Sequence, residues 1–490
     1  MPSNVSPNGV RSRLPRLAAD RVDWITSADT PAPYTRRRVA AGRTLPRRGT
    51  LAARPTPPSG AQRHQAPRQS VDASPRHGRI PSVRTRSRGT AVPPVRQPRR
   101  SVIRTAFVAT YPPRRCGIAT FTHDLASVVG GGEVVVLDPP DHRGPYPPEV
   151  HHRIRRDEPS DYARAANTLR HCRIDVVSVQ HEFGIWGGDD GAAVLDFVGA
   201  LEAPSVVTLH TVLRHPTRNQ RRIIVELVGA STATVVMSRS AAVLLANVYG
   251  IDPSRVVVIP HGVPNLPLVD PETMKPALEL AGRSVILSFG LLGQGKGYET
   301  VLEALPAVVA AVPDVSYVVL GATHPNLLRT EGEAYRRSLE ERVGRLGLTD
   351  HVRFEDRFVG RVELGRWLEA ADIFVTAYPN LEQIASGTLA YALGAGRAIV
   401  STPYAYAREL LADGRGLLVA PGSPAALAEA FIGLFRDPRR RARLGRRAYE
   451  HGRVMIWSEV GATYRTLFAR VAAGPVRRPA PATALATIRV

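Results

Sequence analysis

From residue 101 onward, short apolar runs alternate with longer segments whose apolar residues recur every three or four positions. The runs are rich in Val, Ile and Leu and lack the in–out alternation of a strand with one wet face. Such runs fit parallel strands covered on both sides. A first series of strands is predicted at residues 102–110, 133–137, 175–180, 205–210, 234–237 and 256–259, with helices at 118–129, 192–201 and 219–228 between them. A second series follows, with strands at 285–289, 316–320, 351–354, 373–376, 398–401 and 417–419. Its helices are at 298–312, 335–346, 360–370 and 424–435. Pro306 is expected to kink the first of these helices. The Pro-rich stretch 264–276 reads as a linker. Alternation of this kind predicts an α/β protein with two doubly wound parallel sheets. The reading divides the chain into a leader at 1–100, a first Rossmann-like domain at 101–278 and a second at 279–454. A terminal helix at 455–472 and a loose tail at 473–490 complete it.

Composition separates the leader from the rest. The whole chain carries a formal charge of +22, and residues 1–100 hold 21 Arg and no Lys against four Asp. That segment is rich in Pro, Ser and Thr and shows neither periodicity, so it is expected to be disordered. A dispensable tail and an arm touching polyanions or a membrane surface both remain open readings. No run approaches the roughly 18 apolar residues of a membrane helix, and no secretory leader is recognisable. The two cysteines, Cys116 and Cys172, form no disulfide framework and show no metal-ligand spacing. A cytoplasmic protein is expected, with peripheral membrane contact as an alternative, no transmembrane segment, no cofactor and no metal. The chain has only two lysines, Lys275 and Lys296.

Three stretches carry candidate chemistry. In residues 379–404 (PNLEQIASGTLAYALGAGRAIVSTPY), Ser386, Gly387 and Thr388 open a compact apolar helix, and an apolar strand follows Gly396. A helix start without bulky side chains offers free N–H groups and a positive dipole end to phosphate; close helix–sheet packing is the structural alternative. Residues 288–297 (SFGLLGQGKG) follow a strand and open a helix. Gly290, Gly293, Gly295 and Gly297 permit close backbone approach, but the P-loop spacing is absent. In the first domain Arg114, Arg115, Cys116 and Gly117 precede a helix, while His181, Glu182 and His210 stand at strand ends, which face the ligand crevice in such sheets.

These segments together resemble retaining family 4 glycosyltransferases of the GT-B fold, over about residues 102–470. The resemblance implies two Rossmann-like domains facing a cleft and a terminal helix crossing back to the first. It implies transfer of a hexose from a nucleotide-diphosphate sugar to a hydroxyl acceptor without metal. Lys296 matches the family's phosphate lysine, whereas Leu291 stands where an arginine is usual. Ser386, Gly387, Thr388 and Leu389 would supply amides to the diphosphate. The two glutamates of the family's Glu-x7-Glu pattern fall on Gln383 and Tyr391, with Glu382 one residue from the first. The resemblance places His210 at the transferred sugar and Gly117 under the donor–acceptor junction. Arg114 and Arg115 are candidates to replace the missing cation, and His181 and Glu182 to hold the acceptor. His261, in a Pro-His-Gly-Val turn, reads as hinge chemistry. Residues 321–326 and 353–356 are expected on the nucleotide side. The altered glutamates leave a non-catalytic sugar-nucleotide or glycan binder as an alternative, and the Arg-rich arm leaves a polyanion-associated protein as another.

Overall fold

The computed structural model describes residues 103–130, 132–140, 142 and 144–474. The readings for residues 1–100 and for the tail beyond 474 lie outside the described residues. The described strands are β1 (Thr105–Ala109), β2 (Gly132–Asp138), β3 (Val150–Arg155), β4 (Val176–His181), β5 (Ser205–Leu209), β6 (Ala233–Val236), β7 (Val256–Val258), β8 (Ser284–Phe289), β9 (Val315–Leu320), β10 (Val352–Glu355), β11 (Ile373–Thr376), β12 (Ala398–Ser401) and β13 (Leu417–Leu418). They form a seven-stranded sheet in the order β3-β2-β1-β4-β5-β6-β7 and a six-stranded sheet in the order β10-β9-β8-β11-β12-β13. Every pairing among the described strands is parallel. This is the GT-B plan.

Strand order reverses between β1 and β4 in one sheet and between β8 and β11 in the other. Loops leaving such switch points diverge and open a crevice at the carboxyl ends of the strands. The motif-bearing stretches leave these four strands, except for His210, which follows the neighbouring β5.

Both faces of each sheet are covered, which explains the uninterrupted apolar runs. The last helix, Trp457–Ala473, covers part of the first sheet. Its Trp457, Val460, Tyr464 and Phe468 pack with Phe107, Val206 and Val235. Before reaching it the chain crosses the linker, where Val263 N–H donates to Met455 O at 2.8 Å and Trp457 N–H to Val263 O at 3.0 Å. Gly262 lies flat under the Trp457 ring, leaving no room for a Cβ.

The sequence reading missed β3 and the helices Pro159–His171 and Arg239–Tyr249. β3 (VHHRIR) is an edge strand with one fully buried residue, Ile154, so its apolar signal is short. The helix Tyr298–Ala311 continues through Pro306 rather than ending there. None of the described helices is long and apolar enough to cross a membrane.

Lys275 is an internal anchor, not a surface lysine. Its side chain is 2% exposed, and Nζ lies 2.8 Å from Asp372 Oδ2, with Glu272 as a second partner. Asp372 Oδ2 also accepts from Val285 N–H at 2.8 Å. The linker is thereby tied to the floor of the second domain. Removing one member of a buried ion pair strands the other's charge, at a cost of about 3–5 kcal/mol. Asp372→Ala is therefore expected to lose stability of that order in denaturant unfolding, while Glu272→Ala, at the exposed end of the contact, loses far less.

Candidate functional site

The donor-side loop leaves β8 at Gly290, whose φ of +124° no bulky residue tolerates. It ends at Gly297, φ +74°, where a Cβ would overlap the Ala377 carbonyl. Between them Lys296 folds back, and its Nζ donates to Leu291 O at 2.5 Å. A Cβ built on Gly290 would lie 3.4 Å from Lys296 Nζ and 3.2 Å from Thr388 Cγ2. The ammonium and the start of the helix Gly387–Gly394 therefore meet over the space that Gly290 leaves open. Ser386 caps that helix through Oγ, which accepts from Leu389 N–H at 3.3 Å. The Gly387 and Thr388 amides meet no acceptor among the described residues. Leu389 does not join them: its N–H is taken by the cap and its side chain is fully buried.

Burial lowers the Lys296 ammonium to about 8. Burial, then Lys296, then Arg114 push the His324 imidazole down, so both cations lie close to it. Arg114 comes from the loop after β1 in the first domain. Its buried NH1 has no partner among the described residues. The cation missing at Leu291 thus has a counterpart on the opposite wall. Arg115 and Gly117 are exposed, and nothing stands within 4 Å of a Cβ built on Gly117. Gly293 approaches His324, and the loop is tied there by His324 N–H donating to Leu292 O at 2.8 Å. Gly295 adopts φ +77° between them.

The first domain contributes imidazoles. His210 Nε2 lies 3.0 Å from Gln180 Oε1. Burial, with His261 and His181 nearby, lowers it to about 3. His181 is fully buried, also lowered to about 3 by burial, and both of its ring nitrogens lack partners among the described residues. Glu182 accepts from Phe183 N–H at 3.0 Å and from Thr211 Oγ1, and burial pushes its carboxyl up. Phe121 holds His210 and His261 edge-on, with ring centroids 4.9 and 5.2 Å away. His261 Nε2 in turn lies 2.9 Å from a Cβ built on Gly387. A histidine read as hinge chemistry therefore stands between the two walls, and burial keeps it neutral.

The glutamate positions behave differently from the sequence expectation. Tyr391 is buried, and its hydroxyl donates to Asp124 Oδ2 of the first domain at 3.2 Å, so its proton is committed across the domains. Glu382 reaches the first domain's His215 at 3.3 Å and Arg214 at 3.6 Å. The Gln383 side chain donates to Ala385 O at 2.8 Å and shapes its own loop. Arg353 is tied to Glu355 at 2.5 Å and lies over the Trp367 ring, which occupies it structurally. Asp124, ion-paired with Arg361 across the domains, escaped notice. The available signal was a carboxylate on the apolar stripe formed by Phe121, Leu125 and Val128.

Residues 117–265 match the family described as Glycosyltransferase Family 4, and residues 283–437 match Glycosyl transferases group 1. The chain is 30% identical over 302 residues to the D-inositol 3-phosphate glycosyltransferase of Xylanimonas cellulosilytica, covering 57% of this chain and 68% of that protein. It is 29% identical over 252 residues to D-inositol 3-phosphate glycosyltransferase 2 of Catenulispora acidiphila, covering 50% of this chain and 57% of the relative. The phosphatidyl-myo-inositol mannosyltransferase of Mycobacterium leprae is 27% identical over 283 residues, 55% of this chain and 68% of its own length. Among solved structures, Anabaena HepE in complex with UDP and glucose superposes with a TM-score of 0.61 at 16% identity, over 75% of this chain and 99% of HepE. Sucrose-phosphate synthase of Thermosynechococcus elongatus gives 0.60 at 18%, over 75% and 99%.

An ammonium lowered to about 8 is charged at neutral pH and loses its proton as pH rises through that value. Anion binding that depends on it must weaken over the same window. Inorganic pyrophosphate, followed by calorimetry, is expected to bind more weakly at pH 9.5 than at pH 7 in the native chain but not in Lys296→Arg, whose guanidinium does not titrate there. Lys296→Ala is expected to lose about 1.5–3 kcal/mol, the worth of a charge-assisted hydrogen bond.

Proposed function

The chain belongs to the group 1, family 4 glycosyltransferases, and from that we propose that it moves a hexose from a nucleoside-diphosphate sugar to a hydroxyl acceptor with retained anomeric configuration. The observation that carries this reading is the meeting at Gly290 of the Lys296 ammonium and the Thr388 side chain, at the start of a helix whose Gly387 and Thr388 amides meet no acceptor among the described residues, with Arg114 of the first domain near the same loop. When the C1–O bond of the donor breaks, negative charge collects on the departing diphosphate. Fixed cations and amide dipoles in a dry site stabilise it without needing to reorganise. Because these groups are all protein groups, the transfer is proposed to need no divalent ion and no cofactor.

His210, neutral and oriented by Gln180, is suited to hydrogen-bonding a hydroxyl of the transferred sugar. The open space at Gly117 lies under the junction, and Glu182 stands on the acceptor side next to the fully buried His181. The acceptor oxygen attacks C1 on the face the diphosphate leaves, and its proton passes to the departing phosphate oxygen. The relatives' names share inositol, so phosphorylated inositols are the first acceptors to test.

A second reading is favoured by Tyr391. Its hydroxyl is committed to Asp124 at a position where the family's pattern has a glutamate, and that departure favours a protein that binds sugar nucleotides without transferring them. GDP-mannose, UDP-glucose and ADP-glucose incubated with inositol phosphates in the presence of EDTA distinguish the two. The expected result is an α-linked product from one α-configured donor, read by NMR. Lys296→Ala should lower kcat/KM by about 10²–10³, as loss of one group stabilising developing charge does. Donor binding without transfer or hydrolysis gives the second reading.

A further inference from the structure

The amino ends of the first sheet carry another group of ligand-type side chains, at the opposite end from the cleft. Glu133 is the second residue of β2, His151 and His152 are the second and third of β3, and Cys172 caps the helix Pro159–His171. Successive strand residues ordinarily face opposite sides of a sheet. Here the register shifts: Val134 pairs with Val150 but Val135 with His152, so His151 is the extra residue of a bulge. Both imidazoles then reach the same carboxylate. Glu133 Oε2 lies 3.4 Å from His152 Nε2 and 3.8 Å from His151 Nδ1. Cys172 Sγ lies 3.8 Å from His152 Nε2. One ligand atom from each of Glu133, His152 and Cys172 falls within 4.8 Å of the other two. Zinc bonds of about 2.0–2.3 Å at tetrahedral angles place neighbouring ligand atoms roughly 3.3–3.6 Å apart. Small side-chain shifts bring the group to that geometry. The other carboxylate oxygen of Glu133 faces Arg104 at 3.8 Å, leaving Oε2 for an ion.

We propose that Glu133, His152 and Cys172 form a structural site for a zinc-type divalent ion, with water as the fourth ligand. A thiolate and a carboxylate balance the charge of such an ion, and the nitrogen and sulfur donors favour zinc or cobalt over magnesium or calcium. The three ligands come from β2, β3 and the end of the helix Pro159–His171, so the ion's role is to clip the edge strand and that helix end to β2. Sequence spacing conceals the site because its ligands come from three separate elements.

The full-length untagged chain, stripped with a chelator and titrated with cobalt(II) chloride, is expected to take up one equivalent and show a thiolate-to-cobalt charge-transfer band, displaced by zinc chloride. Cys172→Ser abolishes the band, and His152→Ala weakens binding by at least about tenfold. Cys116→Ser, which removes the chain's other cysteine, leaves both unchanged. Zinc raises the Tm of the native chain but not that of Cys172→Ser. No band at stoichiometric cobalt, a band that survives Cys172→Ser, or one lost in Cys116→Ser overturns the proposal.

Discussion

A carboxylate buried to 1% exposure cannot remain charged without partners, and those of Asp124 come from both halves of the molecule. His123 Nδ1, on its own helix, lies 3.3 Å away. Arg361 and the Tyr391 hydroxyl reach it from the second domain. Breaking a buried pair exposes the full desolvation cost of the charge left behind, so this contact holds the two walls of the cleft together. It sets the helix Gly117–Val129 against the helix Gly387–Gly394. That in turn brings Phe121, His261 and Gly387 into line. Much of what the cleft can do follows from this one satisfied charge.

Charge and hydrogen bonding are divided between different residues there. His181, His210 and His261 are all kept neutral by burial. A neutral imidazole offers one donor and one acceptor, which suits a sugar hydroxyl, and it brings no charge to a phosphate. The positive field falls to Lys296, Arg114 and the helix-start amides. Lys296 is itself lowered by burial, and a neighbouring anion would raise it again. The site is thus least comfortable without an anion.

The architecture was legible because parallel strands covered on both faces write themselves as runs rich in Val, Ile and Leu without in–out alternation, and β4, β5, β8, β9, β11 and β12 do so. β3 was not, because an edge strand with one buried side chain leaves almost no periodic trace. Gly290, Lys296 and the Ser386 cap could be read because local rules govern them: left-handed glycines, a helix start, a capping hydroxyl. Tyr391 and Asp124 could not, since their meaning lies in a bond between residues 267 positions apart. The partners of Glu382 were also far away in sequence, on the first domain. His261 looked like a turn residue because nothing local announces that Phe121, Tyr391 and Trp457 surround it.

The backbone crosses between the domains twice, and both crossings pass the same point, where Val263 and Ile456 form a parallel bridge. Two strands of chain knotted together by hydrogen bonds behave as the pin of a door rather than as a leash. Lys275 fixes the far side of that pin to Asp372, and the Trp457 ring lying over Gly262 fills the gap that sliding would require. The two crossings are thereby held side by side at one point, so a change in the angle between the halves has to be absorbed by the backbone there.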